Sequence, residues 1–136
     1  MFGFSKQLAL SSLVLSLSSS VSLASSSYEA SAEGLLSGWD TVDYVYIDAD
    51  DDQELTIGVE ASGPGTNDVH VKVQQQTASG GWDTLQSAYL DTPSDFYSFY
   101  QDVKNYRSGS QEHLRVRLSR ELTTKSIVWF VGVNWD

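Results

Sequence analysis

Apolar and polar residues alternate with a period of two along most of the chain from about residue 41 onward. The cleanest stretch is 54–61, where Leu55, Ile57, Val59 and Ala61 fall on one face and Glu54, Thr56, Gly58 and Glu60 on the other. Successive side chains of a strand point to opposite faces, so this is a half-buried strand with one dry side. Residues 41–48 form a second such run, with Val45 and Ile47 opposite Tyr44 and Tyr46. The acidic turn Ala49-Asp50-Asp51-Asp52-Gln53 is expected to join the two as a hairpin, which needs further strands to cover its apolar face.

The same pattern predicts strands over 69–76, 82–90, 96–103, 114–119 and 126–135. Val69, Val71 and Val73 are expected inside, as are Leu114, Val116 and Leu118. The last run is apolar on both sides, with Ile127, Trp129, Val131 and Val133 against Val128 and Phe130, which places it centrally in a sheet or against a partner. Turn-forming clusters separate the runs, both prolines fall between them, and no window has a helical period. The fold expected is all-β: an antiparallel sandwich, jelly-roll or Ig-like, of about seven to eight strands. Gly38-Trp39-Asp40-Thr41 recurs as Gly81-Trp82-Asp83-Thr84, and the same 43-residue step pairs Tyr46 with Tyr89, His70 with His113 and Lys72 with Arg115. Duplication of a half-sandwich and chance similarity of strand entries both fit that echo.

Before residue 41 the character changes. Residues 1–24 combine Lys6 with an apolar stretch thinned by serine and end in Ser22-Leu23-Ala24, which reads as a cleavable export signal rather than a membrane span. Ala30-Ser31-Ala32 is a second cleavage candidate. Residues 25–37 are small and polar and are expected to be a disordered leader to a single domain over 38–136. The expected location is therefore secreted or cell-surface.

The 136-residue chain carries a formal charge of −10, and loss of Lys6 on export leaves it near −11. Such a balance disfavours nucleic acid and anionic lipid, which need clustered Lys and Arg. There is no cysteine, so an exported domain relies on its core or on a metal, and thiol chemistry is excluded. No Gly-x-Ser-x-Gly elbow, His-Glu-x-x-His or phosphate-binding glycine loop is present, and the reading is of a non-enzyme. His70 and His113 would need to meet on one face to act as a pair.

Two features carry candidate chemistry. Asp48, Asp50, Asp51, Asp52 and Glu54 crowd the acidic turn, and calcium takes about six to eight oxygens, which a turn can supply. Asp48, Asp50, Asp52 and Glu54 are the expected metal ligands, with Asp40, Asp43 and Asp68 as further donors if the fold brings them near. A solvated tip that protects a strand edge is the alternative. The second feature is an aromatic surplus. Tyr97, Tyr100 and Trp129 are the expected platform for a sugar ring or an extended peptide, exposed on the strands at 96–103 and 126–135.

Asp40-Thr41-Val42-Asp43-Tyr44-Val45-Tyr46-Ile47, an acidic turn and Glu54-Leu55-Thr56-Ile57 resemble the opening of bacterial pre-peptidase C-terminal domains. Asn67-Asp68-Val69-His70-Val71-Lys72-Val73 is similar to their aspartate-led strand, and Leu114-Arg115-Val116-Arg117-Leu118 sits where they carry a Tyr-x-hydrophobic-Arg-Val strand, with His113-Leu114 replacing the tyrosine. The resemblance implies a jelly-roll-like sandwich of the kind found on secreted enzymes, whose relatives bind collagen or polysaccharide, some with calcium. The resulting expectation is a secreted, non-catalytic module that binds a polysaccharide or a fibrous protein polymer, with no nucleic-acid partner. The alternative is a structural protein that self-associates through strand edges.

Overall fold

The computed structural model describes residues 2–4, 28–38, 41–121 and 125–136. Trp39, Asp40, residues 122–124 and most of the expected export segment, Ala24 included, lie outside the described residues. The strands are β1 (Phe2–Phe4), β2 (Ala30–Leu36), β3 (Val42–Ala49), β4 (Glu54–Ser62), β5 (Asp68–Gln76), β6 (Trp82–Asp91), β7 (Ser94–Asp102), β8 (Glu112–Ser119) and β9 (Ile127–Trp135). They form two sheets, in the orders β1-β3-β8-β5-β6 and β2-β9-β4-β7. All pairings are antiparallel except that of β1, which runs parallel to β3 at an edge.

From β2 onward the chain changes sheet at every connection except the β5–β6 hairpin, closed where Thr77 N–H donates to Gly81 O at 2.8 Å. An eight-stranded double sheet with this order is a jelly roll. The core is the set of inward positions that the period-two pattern picks out: Val45 and Ile47 on β3, Leu55, Ile57 and Val59 on β4, Val69, Val71 and Val73 on β5, Leu114, Val116 and Leu118 on β8.

Two expectations are corrected here. Residues 41–48 and 54–61 are strands, but they are not a hairpin: β3 lies in the first sheet and β4 in the second. Each has one dry face, and two dry faces can be covered by facing each other across the sandwich as well as by pairing edge to edge. The turn between them spans the two sheets, with Gln53 N–H donating to Asp50 O at 3.1 Å. The second correction concerns 25–37, expected to be disordered. Ala30–Leu36 is a strand, paired along its whole length with β9, and Ala30, Ala32 and Leu36 are core. Its small residues concealed it because they are spacers. A Cβ at Gly34 would run into the Trp129 indole on the paired strand, so bulk on β9 dictates smallness on β2.

Candidate functional site

The outward face of the first sheet carries a dense set of polar and aromatic side chains. Strand register sets them out in rows across β3, β8, β5 and β6: Val42, Ser119, His70, Tyr89; then Tyr44, Arg117, Lys72, Ser87; then Tyr46, Arg115, Gln74, Thr84. Asp48 and His113 pair beyond the third row, with Trp82 on the same side. Each strand supplies these because its alternate residues are committed to the core.

The arrangement is tied together by specific contacts. The Arg115 guanidinium lies 4.4 Å from the centre of the Tyr44 ring and 4.1 Å from that of Trp82. Its Nε donates to Gln74 Oε1 at 2.7 Å, so a long flexible side chain is held in one place. Tyr44 and Tyr46 stack at 6.1 Å, and Trp82 meets Tyr46 edge-on at 6.1 Å. His70 stacks on Tyr89 at 4.3 Å with the rings 9° from parallel. Tyr89 is 64% exposed and lies beside a groove of about 840 Å³ that also takes in Asn67, His70, Arg117 and Ser119. Burial, with Lys72 and Arg117 adding to it, lowers the His70 pKa below its ordinary value. At the groove's rim Asp68 opposes Asp91 across the β5–β6 pair and, through a shared hydrogen bond, lifts the Asp91 carboxyl above the usual range.

The platform expected from Tyr97, Tyr100 and Trp129 is not assembled. Trp129 is fully buried on the inward face of β9, its Nε1–H donating to Asp43 Oδ2 at 3.1 Å. Tyr97 points to the same side of β7 as buried Phe99, which it meets at 4.7 Å, whereas Tyr100 and Phe96 point to the other. Parity along β7 separates the two tyrosines, and β9, lying between β2 and β4, has no bare inward side.

The expected metal set does not converge either. Asp48 is on the outward face of the first sheet, bonded to His113 Nδ1 at 2.7 Å, and Glu54 is an outward residue of the second. The sandwich stands between them, while Asp50, Asp51 and Asp52 are exposed at the turn. Among the described residues no three His, Asp or Glu are grouped as a cation site. His70 and His113 share a face but not a row, and His113 does not line the groove.

The outward face of the second sheet is acidic and aromatic. No Lys or Arg occurs on β2, β4, β7 or β9. Glu33, Phe130, Glu60 and Phe96 form one row across it. In the next row a Cβ at Gly58 or Gly132 would collide with Tyr28, whose ring lies across both. Glu33 Oε2 and Glu60 Oε1 are buried without a hydrogen-bond partner, and burial raises both carboxyls above their ordinary value of 4.5. The folded chain therefore binds these protons more tightly than the unfolded chain. Stability falls as pH rises from about 4.5 through the raised folded pKa, and stays lower at neutral pH. Glu60→Gln is expected to raise stability at neutral pH in urea unfolding, and the gain should fade on acidification below 4.5. A gain that persists unchanged in acid would show that ionisation is not its source.

The 43-residue echo gains a spatial meaning. It carries β3 onto β6 and β5 onto β8, and in the sheet order β1-β3-β8-β5-β6 these four strands are adjacent, with β5 and β8 paired between β3 and β6. Tyr46 and Tyr89, His70 and His113, and Lys72 and Arg115 are all outward residues of this one sheet. The pairs were visible in the sequence, but their common face required the register. Trp39 and Asp40, which open the echo, lie outside the described residues.

No family model and no curated protein matches this chain. Among solved structures, a CBM4 carbohydrate-binding module aligns over 72% of this chain and 63% of its own length, with TM-score 0.51 and 16% identity. The pre-peptidase C-terminal domain of collagenase from Bacillus anthracis aligns over 76% of this chain and 87% of its own, with TM-score 0.49 and 10% identity. The enzymatically active domain of tailspike protein 4 from bacteriophage CBA120 aligns over 78% and 18%, with TM-score 0.44 and 10% identity. This chain thus spans less than two thirds of the CBM4 structure. At 16% identity the likeness to the CBM4 module is one of fold: the chain is an all-β sandwich of similar architecture.

Proposed function

We propose that this chain is an exported, non-catalytic module that holds an extracellular polysaccharide across the outward face of the first sheet. The observation that carries the reading is the concentration of Tyr44, Tyr46, Trp82 and Tyr89 on that face, interleaved with hydrogen-bonding side chains already fixed in position. Rigid amphipathic rings stack against the apolar faces of sugars at small entropic cost, and preorganised donors take the hydroxyls. A sheet face open along its length suits a chain better than a compact metabolite. The architecture shared with a carbohydrate-binding module supports the same choice. The export-signal character of residues 1–24 supports the exported reading; cleavage after Ala24 would remove β1 from the edge of the first sheet and leave β2 whole, whereas cleavage after Ala32 would cut β2 in two.

Affinity electrophoresis through gels containing soluble polysaccharides tests the reading. Tyr89→Ala is expected to weaken retardation about tenfold while the thermal midpoint stays within about a degree, because the ring is mostly exposed. Tyr100→Ala, on the opposite sheet, is expected to leave retardation unchanged. Equal losses from both would move the site off this face.

A further inference from the structure

We propose that the polysaccharide is an acidic one, with carboxylate or sulfate groups that Arg117, Lys72 and Arg115 receive; this deepens the function proposed above and rests on it. Arg117 and Lys72 are register neighbours at the centre of the outward face, and Arg115 is the next outward residue along β8. The chain has 18 acidic residues against 8 basic ones, so a surplus of partners is at hand. Yet among the described residues the one ion pair is His113–Asp48, and no carboxylate lies within pairing distance of these three cations. Their bonds run to neutral groups instead: Arg115 to Gln74, and Arg117 NH1 to Ser119 Oγ at 3.1 Å.

The carboxylates that share the face stand at its ends. Asp48 is taken up by His113, Asp68 and Asp91 oppose each other at the groove's rim, and Glu121 lines the groove just beyond the end of β8. An acidic protein that keeps a cluster of cations unpaired on one sheet face, between aromatic rings, has a local field opposite to its net charge. Screening limits the net charge to about 10 Å at ordinary ionic strength, so close to the sheet the cations decide. The lowered pKa of His70 agrees with that sign, since Lys72 and Arg117 both oppose its protonation after burial has done so. The echo adds a repeat: His70 with Lys72 and His113 with Arg115 are equivalent positions on the inner strands, as suits a ligand whose charges recur along its length.

The test uses the exported chain in gels of polygalacturonate, of its methyl ester, of a sulfated galactan, of neutral agarose and of single-stranded DNA. Retardation is expected in at least one of the two acidic polymers, weaker with added salt and lost in the neutral counterpart of that polymer. Lys72→Gln and Arg117→Gln are each expected to weaken it about tenfold without a change in thermal midpoint. Equal retardation by acidic and neutral polymers, unaffected by the charge variants, would overturn the acidic assignment and leave polysaccharide binding standing. Retardation by none of the polysaccharides would overturn both. Binding to DNA as tight as to the glycans and indifferent to Tyr89→Ala would reduce the face to a charge patch and overturn both as well.

Discussion

Trp129→Ala is expected to cost about 3–5 kcal/mol, enough to leave much of the protein unfolded at ambient temperature if its stability lies near about 5 kcal/mol, the low end of the usual range. Trp129 is among the largest fully buried side chains of the domain. Its indole occupies the space kept open by Gly34 and donates to Asp43 on the opposite sheet. Truncation would leave a cavity lined by strands that cannot close on it, because their positions are set by backbone pairing on both sides of β9. It would also remove the indole donor from Asp43 Oδ2. Urea unfolding followed by tryptophan fluorescence measures the loss, and Tyr100→Ala, at a side chain 65% exposed, should cost less than about 0.5 kcal/mol beside it. A Trp129→Ala protein that stays folded and merely loses polymer retention would restore the indole to the binding surface.

The second large effect is expected at Glu112. This carboxylate is fully buried at the end of β8 and organises the loop between β7 and β8. Its Oε2 accepts from the backbone of Tyr106 at 3.0 Å and of Arg107 at 2.7 Å, and its Oε1 accepts from Gln75 Nε2 at 3.1 Å. Gln75, also fully buried, clamps Lys104 from both sides, donating to its carbonyl at 2.6 Å and accepting from its N–H at 3.0 Å. Glu112→Ala removes the shared acceptor of the buried Gln75 amide and of two part-buried backbone donors, an expected loss of about 2–3 kcal/mol. Glu112→Gln keeps an oxygen and should recover part of it. A double replacement of Gln75 and Glu112 by leucine should cost less than the two single changes added together, because partners removed as a pair leave no orphan. Strict additivity would mean that the two residues do not act as one network.

Both residues are unremarkable in the sequence. Glu112 sits next to an exposed glycine–serine loop, and nothing in its neighbours distinguishes it from the solvated acids at Asp50, Asp51 and Asp52. Its burial follows from strand parity: Glu112 is in step with Leu114, Val116 and Leu118, and so faces inward. That signal was present, but a strand start at Leu114 left it unused. The same parity rule separates Tyr97 from Tyr100 on β7, and applied strictly it forbids the platform expected from them.

The strands that alternate bulky β-branched or aromatic residues with polar ones were legible along the chain, because burial on one face of a pleat imposes a period that no other structure shares. So were their order and the breaks between them. Strand β2 was not, since its small residues answer to Trp129, far away in the chain. Pairing was not legible either. A dry face at β3 and another at β4 can meet edge to edge or across a sandwich, and a short acidic turn permits both. The alternation of residues determined which side of each strand is wet. Only the tertiary structure decided which wet sides lie next to one another, and so gathered Lys72, Arg115 and Arg117 among Tyr44, Trp82 and Tyr89, because the register between strands distant in sequence is set by the packing of the whole core.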